Sequence, residues 1–109
     1  MDGVKSLLLT LGIRSTLRGF RFLWYALNLC LSDEDYLLNV FSVLCEEVAR
    51  HYGTNKDNVE HCIRTAVANC WFHGNRELLI EIAGYKLKHK PSNGEFIDIL
   101  YNYLKSLEG

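Results

Sequence analysis

Asn58, His61 and Arg64 recur at every third residue of a segment whose apolar residues repeat with helical period, so three hydrogen-bonding side chains share one outer face. Arginine forks guanine bidentately, asparagine prefers adenine, and histidine offers one ring nitrogen at a time. Stacked one turn apart near the start of a helix, such groups suit the reading of base edges in a DNA major groove. Lys56 and the helix N-terminus beside it suit a phosphate. With Glu60 and Thr65 on the same face, the candidate DNA-binding set is Lys56, Asn58, Glu60, His61, Arg64 and Thr65. A polar outer face is also normal on any globular helix, so this pattern by itself leaves a plain solvated face open.

Other chemistries find less support. His61, Cys62, Cys70 and His73 contain ligand types for zinc, but Cys62 and Cys70 fall on the apolar stripe of the helix while His61 falls on its outer face. They cannot converge on one ion, and no C-x-x-C spacing occurs, so neither a metal nor a cofactor is expected. The four cysteines sit within apolar helical patterns, as buried reduced thiols of a cytoplasmic protein do. His51, at a helix end, suits a dipole contact better than catalysis. There is no P-loop, GxSxG, HExxH or glycine-rich nucleotide turn, and the expectation is a protein that is not an enzyme.

The elements that must hold the outer face can be read from periodicity and capping. Val4 to Leu11 reads as a short helix stopped by Gly12, and Ser15 as the cap of a longer core helix, Thr16 to Leu31, with Leu17, Phe20, Leu23, Trp24, Leu27 and Leu31 inward. Ser32 and Asp35 resemble a capping box, opening a short helix near Asp33 that is interrupted near Asn39. A longer helix, Phe41 to Tyr52, is then closed by Gly53; the apolar residues over both are Leu37, Leu38, Phe41, Leu44, Val48 and Tyr52. Thr54 reads as the next cap with Asp57 reaching back, and Asn55 to His73 comes next, with Val59, Cys62, Ile63, Ala66, Val67, Cys70 and Trp71 as the buried stripe. Gly74 ends it, Asn75 caps Arg76 to Ala83, and Gly84 stops that helix. Tyr85 to Pro91 should be extended. Ser92 with Glu95 forms another capping box for a last helix burying Phe96, Ile97, Leu100, Tyr101 and Leu104. No alternating strand pattern appears, so the fold class is all-α, and the short Gly53-Thr54 turn makes a helix-turn-helix of about residues 40–73.

With 109 residues, 49% of them hydrophobic, the chain can bury a core without disulfides and reads as one domain over 1–109. The net charge of -1 argues against an indiscriminate polycation, but the charge is segregated. Lys5, Arg14, Arg18 and Arg21 lie in the first third, and Asp33, Glu34, Asp35, Glu46 and Glu47 come after them without a base in between. Lys86, Lys88 and Lys90 then cluster near Pro91. Arg14, Arg18, Lys86, Lys88 and Lys90 are candidate phosphate contacts, Arg14, Arg18 and Arg21 being equally suited to structural ion pairs. No apolar run approaches a membrane span, and the N-terminus carries no signal pattern.

Four stretches resemble the C-terminal effector domain of the stage zero sporulation protein A family, response regulators of entry into sporulation: Gly12 to Leu23 (GIRSTLRGFRFL), Val59 to Trp71 (VEHCIRTAVANCW), Gly74-Asn75 with Ala83-Gly84-Tyr85, and Lys90 to Phe96 (KPSNGEF). The likeness spans about Leu8 to Leu104. It implies a six-helix domain that places the helix matching Asn55 to His73 in a major groove, often with two domains side by side. It further implies double-stranded DNA as partner, a homodimer on DNA, and contact with RNA polymerase sigma factor through Asn75 to Leu87, where Leu78 and Ala83 depart from the family. Glu60 and Arg64 match the family pattern. Asn58 and His61 stand where the family presents arginines, which implies a changed operator. No phospho-receiver fits before Gly12, which implies either an excised domain or a stand-alone protein. The alternative function is a protein-interaction or dimerisation module of the same fold that has lost specific DNA reading, as the two replaced arginines would allow.

Overall fold

The structure of the protein, a computed structural model, describes residues 2–108. It contains α1 (Gly3–Thr10), α2 (Arg18–Ser32), α3 (Cys45–Tyr52), α4 (Lys56–His73), α5 (Arg76–Ala83) and α6 (Asn93–Ser106), and no strand among the described residues. The all-α class and the six helices agree with the sequence reading. Between α2 and α3 lie a 3-10 helix, Glu34–Leu38, and a π-helical turn, Val40–Leu44.

α2 and α4 form the centre, because each buries a continuous stripe. Phe20, Leu23, Ala26, Leu27 and Cys30 of α2 meet Val59, Ile63, Ala66, Val67 and Cys70 of α4, and Phe96, Ile97 and Leu100 of α6 close the same cluster. Among the described residues no polar or charged side chain is buried, and no buried side-chain polar atom lacks a partner. The core is therefore held by apolar burial at roughly 25 cal/mol per Å² rather than by internal ion pairs.

Caps define the helix starts. Asp2 Oδ1 accepts from the Val4 and Lys5 amides at 2.9 and 3.2 Å, Asn75 Oδ1 accepts from the Leu78 amide at 3.0 Å, and Ser92 Oγ accepts from the Glu95 amide at 3.2 Å. Glu95 does not return the bond expected of a capping box. Its Oε2 instead accepts from the Tyr85 hydroxyl at 2.9 Å, which ties the 85–91 segment to α6.

Several sequence boundaries move. α2 starts at Arg18, with Leu17 as an N-cap that makes no side-chain bond, so Ser15 is not the cap. Tertiary contacts displace it: Ile13 is buried and the Arg14 amide donates to Asn69 Oδ1 of α4 at 3.2 Å, which holds residues 14–17 in a turn. Ser32 likewise closes α2 by donating to the Leu29 carbonyl at 2.8 Å, and Asp33, not Ser32, caps the next turn by accepting from the Asp35 amide at 3.0 Å.

Asn39 is the interruption expected there, but the turn after it is π-helical rather than α-helical. Its carbonyl accepts from both the Val43 and Leu44 amides, at 3.2 and 3.1 Å, and its side chain accepts from the Ser42 amide at 3.1 Å. The bracing helix thus begins at Cys45 rather than Phe41. In these tighter and wider turns the 100° step fails, so Leu38 and Phe41 are 84% and 41% exposed although the periodic pattern puts them inward.

The loop after α1 is stapled to the turn after α4. The Asn75 amide donates to the Leu11 carbonyl at 2.9 Å, and a Cβ on Gly12 would lie 2.8 Å from Gly74 Cα. Gly12 also has φ 83°, so both its conformation and its neighbours require glycine.

Candidate nucleic-acid interface

The helix-turn-helix is built from α3, a three-residue turn and α4. Gly53 closes α3 in the left-handed region at φ 69°. The cap of α4 is Asn55, whose Oδ1 accepts from the Asn58 amide at 2.9 Å, one residue later than the Thr54 cap expected from sequence. Thr54 has a different task, accepting from Asn58 Nδ2 at 3.0 Å.

With the helix phased this way, Asp57, His61, Arg64 and Thr65 point outward and exposed, and Glu60 is half-buried beside them. Arg64 lies between two neighbours: Nη1 is 3.3 Å from Glu60 Oε1, and Nη2 is 3.2 Å from His61 Nδ1. An ion pair this exposed contributes only about 0–1 kcal/mol. Its consequence is orientation, since with the His61 contact it holds a long side chain along the exposed face of α4. Thr65 Oγ1 donates to the His61 carbonyl at 3.1 Å.

Asn58 differs from the expectation of an outward base reader. It is half-buried, its side-chain nitrogen bonds Thr54, and its Oδ1 lies 3.6 Å from Cys62 Sγ. Its side chain supports the turn before α4. Lys56 stands at the first helical position with Nζ 5.0 Å from the Phe41 ring centroid, a cation–π contact of about 0.5–1 kcal/mol at an exposed site.

Basic groups flank the outer face of α4 on both sides. Arg18 lines a hollow with His61, Cys62 and Thr65 on one side, and with Arg21, Thr54 and Asn58 a second hollow at the turn. Lys90 lines a groove of about 630 Å³ on the other side, with Asp57, Glu60, Arg64, Phe41 and Asn93. Among the described residues Arg14, Arg18 and Arg21 form no ion pair, so the structural-pair reading of these arginines is not what the fold uses. Arg14 is exposed near Asn69, in the C-terminal half of α4. Lys86 and Lys88 are exposed on either side of the buried Leu87 and line neither flanking groove.

Two contributors were not singled out from sequence. Asn93 Nδ2 donates to the Glu60 carbonyl at 3.0 Å and fastens the start of α6 to α4. The KPSNGEF stretch held that signal. Phe41 carried none, because its position depends on the π-helical turn.

Burial pushes the Cys30, Cys45 and Cys70 thiols up to about 12, 11 and 11, with Asp33 adding to the first and Glu60 to the second. They are inert at neutral pH, as core cysteines are. No three His, Cys, Asp or Glu side chains gather as a metal site among the described residues. Among the same residues no helix is long and apolar enough to cross a membrane.

An all-α fold whose helix-turn-helix exposes a polar helix beside basic side chains is the architecture on which DNA-binding domains of this class are built. The match to known families is specific within that class. The sporulation initiation factor Spo0A C-terminal family covers residues 4–104, nearly the whole chain, and the chain belongs to this family of DNA-binding effector domains of sporulation regulators.

Proposed function

We propose that the protein is a sequence-specific DNA-binding transcriptional regulator that inserts the N-terminal turns of α4 into a major groove. Arg64 is the principal base reader, oriented by Glu60, and His61 and Thr65 share its face. Lys56, Arg18, Arg21 and Lys90 take phosphates. The observation that carries this reading is the position of Arg18 and Lys90 on opposite flanks of the exposed α4 face, where the two backbones bordering a groove would run. A helix about 10–12 Å across matches a major groove about 12 Å wide.

Relative to the family pattern, His61 replaces an arginine on the reading face, so the preferred operator differs. Asn58 replaces another, and its bonds to Thr54 favour a positioning role. A homodimer on DNA and a sigma-factor contact through α5, whose Arg76, Glu77 and Glu81 are exposed, remain proposals resting on the family likeness. A protein-interaction role is the second reading. It is favoured by Leu38, Phe41 and Val43, exposed within the acidic segment 33–47.

Selection from random duplexes at low salt, followed by a salt series, tests the first reading. Four neutralised phosphates should give a slope of log K against log salt of about -3 to -4. Enrichment of no duplex at low salt leaves the interaction module.

A further inference from the structure

A hollow of about 600 Å³ opens where α1, α2 and the last residue of α3 meet, and no residue of α4 lines it. Its size falls within the roughly 300–1,000 Å³ of small-molecule sites. The apolar part of its lining is Leu9 from α1, Phe20 and Trp24 from α2, and Tyr52 from α3, so three of these four side chains are aromatic. Leu9 is 54% exposed although its own helix buries Val4, Leu7 and Leu8. Apolar surface is therefore left uncovered here.

The charge in the hollow has one sign. Lys5 and Arg21 line it and no Asp or Glu does. Among the described residues neither cation forms an ion pair. The carboxylate that touches the Trp24 wall, Asp2, is engaged elsewhere: Oδ2 accepts from Trp24 Nε1 at 2.6 Å, and Oδ1 caps α1 through the Val4 and Lys5 amides. Lys5 Nζ stands 4.9 Å from the Trp24 ring centroid, and the Tyr52 hydroxyl donates to the Arg21 carbonyl at 3.4 Å. Two of the three rings are thus anchored without a ligand, which lowers the cost of binding one. An aromatic wall beside two uncompensated cations matches a planar apolar body that carries an acid. The ring would release water from the apolar lining, and the acid would accept the paired donors of a guanidinium.

We propose that this hollow binds a small aromatic acid, a planar ring bearing a carboxylate or a phosphate, with Arg21 as the fork and Lys5 as the second cation. The site does not rest on the DNA-binding reading, and it is tested on the free protein. Arg21 also lines the hollow at the Thr54 turn, so an anion without a ring is the essential control.

Proton–nitrogen NMR spectra are followed during titration with phenylacetate and with adenosine monophosphate, against phenylacetamide, adenosine and inorganic phosphate. One acid or both should shift the Trp24 indole N–H and the Leu9 and Tyr52 amides saturably, at a concentration about tenfold below that needed by any of the three controls. Whichever acid binds identifies the anionic group. Arg21→Gln should weaken that binding about tenfold, whereas Lys105→Gln, the same change of charge outside the hollow, should leave it unchanged. Resonances away from the hollow report that each variant keeps the fold. No saturable shift with either acid at millimolar concentration overturns the proposal. Inorganic phosphate acting as strongly as the acids also overturns it, because Arg21 and Lys5 would then be an unspecific anion contact. So does a loss in Arg21→Gln no larger than that in Lys105→Gln.

Discussion

Gly19 of α2 lies directly against Cys62 of α4: a Cβ on Gly19 would overlap the Cys62 carbonyl oxygen and come within 2.8 Å of the Ala66 Cβ. The two central helices cross here with backbone touching backbone. Since α4 carries the exposed face of Asp57, His61, Arg64 and Thr65, the height of that face above the core is set at this crossing. Gly19→Ala must separate the helices, and the expected loss is about 1–3 kcal/mol of stability, read as a lower urea midpoint with unchanged slope. Weaker binding to the selected duplex should accompany it. A midpoint equal to that of the parent protein would mean that the crossing yields more easily than the contact distances indicate.

The cap of α4 gives a second expectation. Asn55→Ala removes the acceptor of the Asn58 amide and should cost about 1 kcal/mol, whereas Thr54→Ala should cost less because Thr54 bonds only a side chain. Thermal unfolding of the two variants distinguishes them. A larger loss for Thr54→Ala would restore the cap position suggested by the sequence.

The buried thiols predict a pH dependence. In the unfolded chain they ionise near 9, while burial holds Cys30, Cys45 and Cys70 neutral to about 12, 11 and 11. Below pH 9 both states are protonated and the stability conferred is fully present. As pH rises from 9 towards 12 the unfolded chain loses protons that the fold retains, so stability falls. Urea midpoints measured across that window should fall more steeply for the parent than for Cys30→Ala, whatever the offset between them. Parallel curves would show that Cys30 does not contribute.

Most of the fold was legible because α1, α2, α4, α5 and α6 obey one periodicity, and all of these but α2 also have a side-chain cap at their start. Arg76–Ala83 between Asn75 and Gly84 was found to the residue. Residues 33–44 were not, since the 3-10 and π-helical turns break the 100° step that the reading assumes and leave Leu38 and Phe41 outside. Ser15 failed as a cap for another reason: its neighbours answer to α4 through the Arg14–Asn69 bond, which no local pattern records. At the candidate interface, spacing located Glu60, His61, Arg64 and Thr65 on one face. It did not reveal that Asn58 turns toward Thr54, because whether a side chain at the edge of a stripe points in or out depends on the preceding turn.

Arg64 and Lys56 should separate base reading from phosphate binding. Arg64 is held on the outer face by Glu60 and His61, whereas Lys56 sits at the helix start with its ammonium over the Phe41 ring, away from that group. Arg64→Ala should relax the preference at one base pair by about 1–3 kcal/mol, and Lys56→Ala should weaken every duplex alike and reduce the salt slope by about one. Asn58→Ala provides the contrast. With its side chain engaged by Thr54 it should lower stability while leaving base preference unchanged, so a lost adenine preference in that variant would return Asn58 to the reading set. Repeating the selection with the three variants at one salt concentration measures all of these effects together, and equal losses on every sequence for both Arg64→Ala and Lys56→Ala would remove Arg64 from its role as reader.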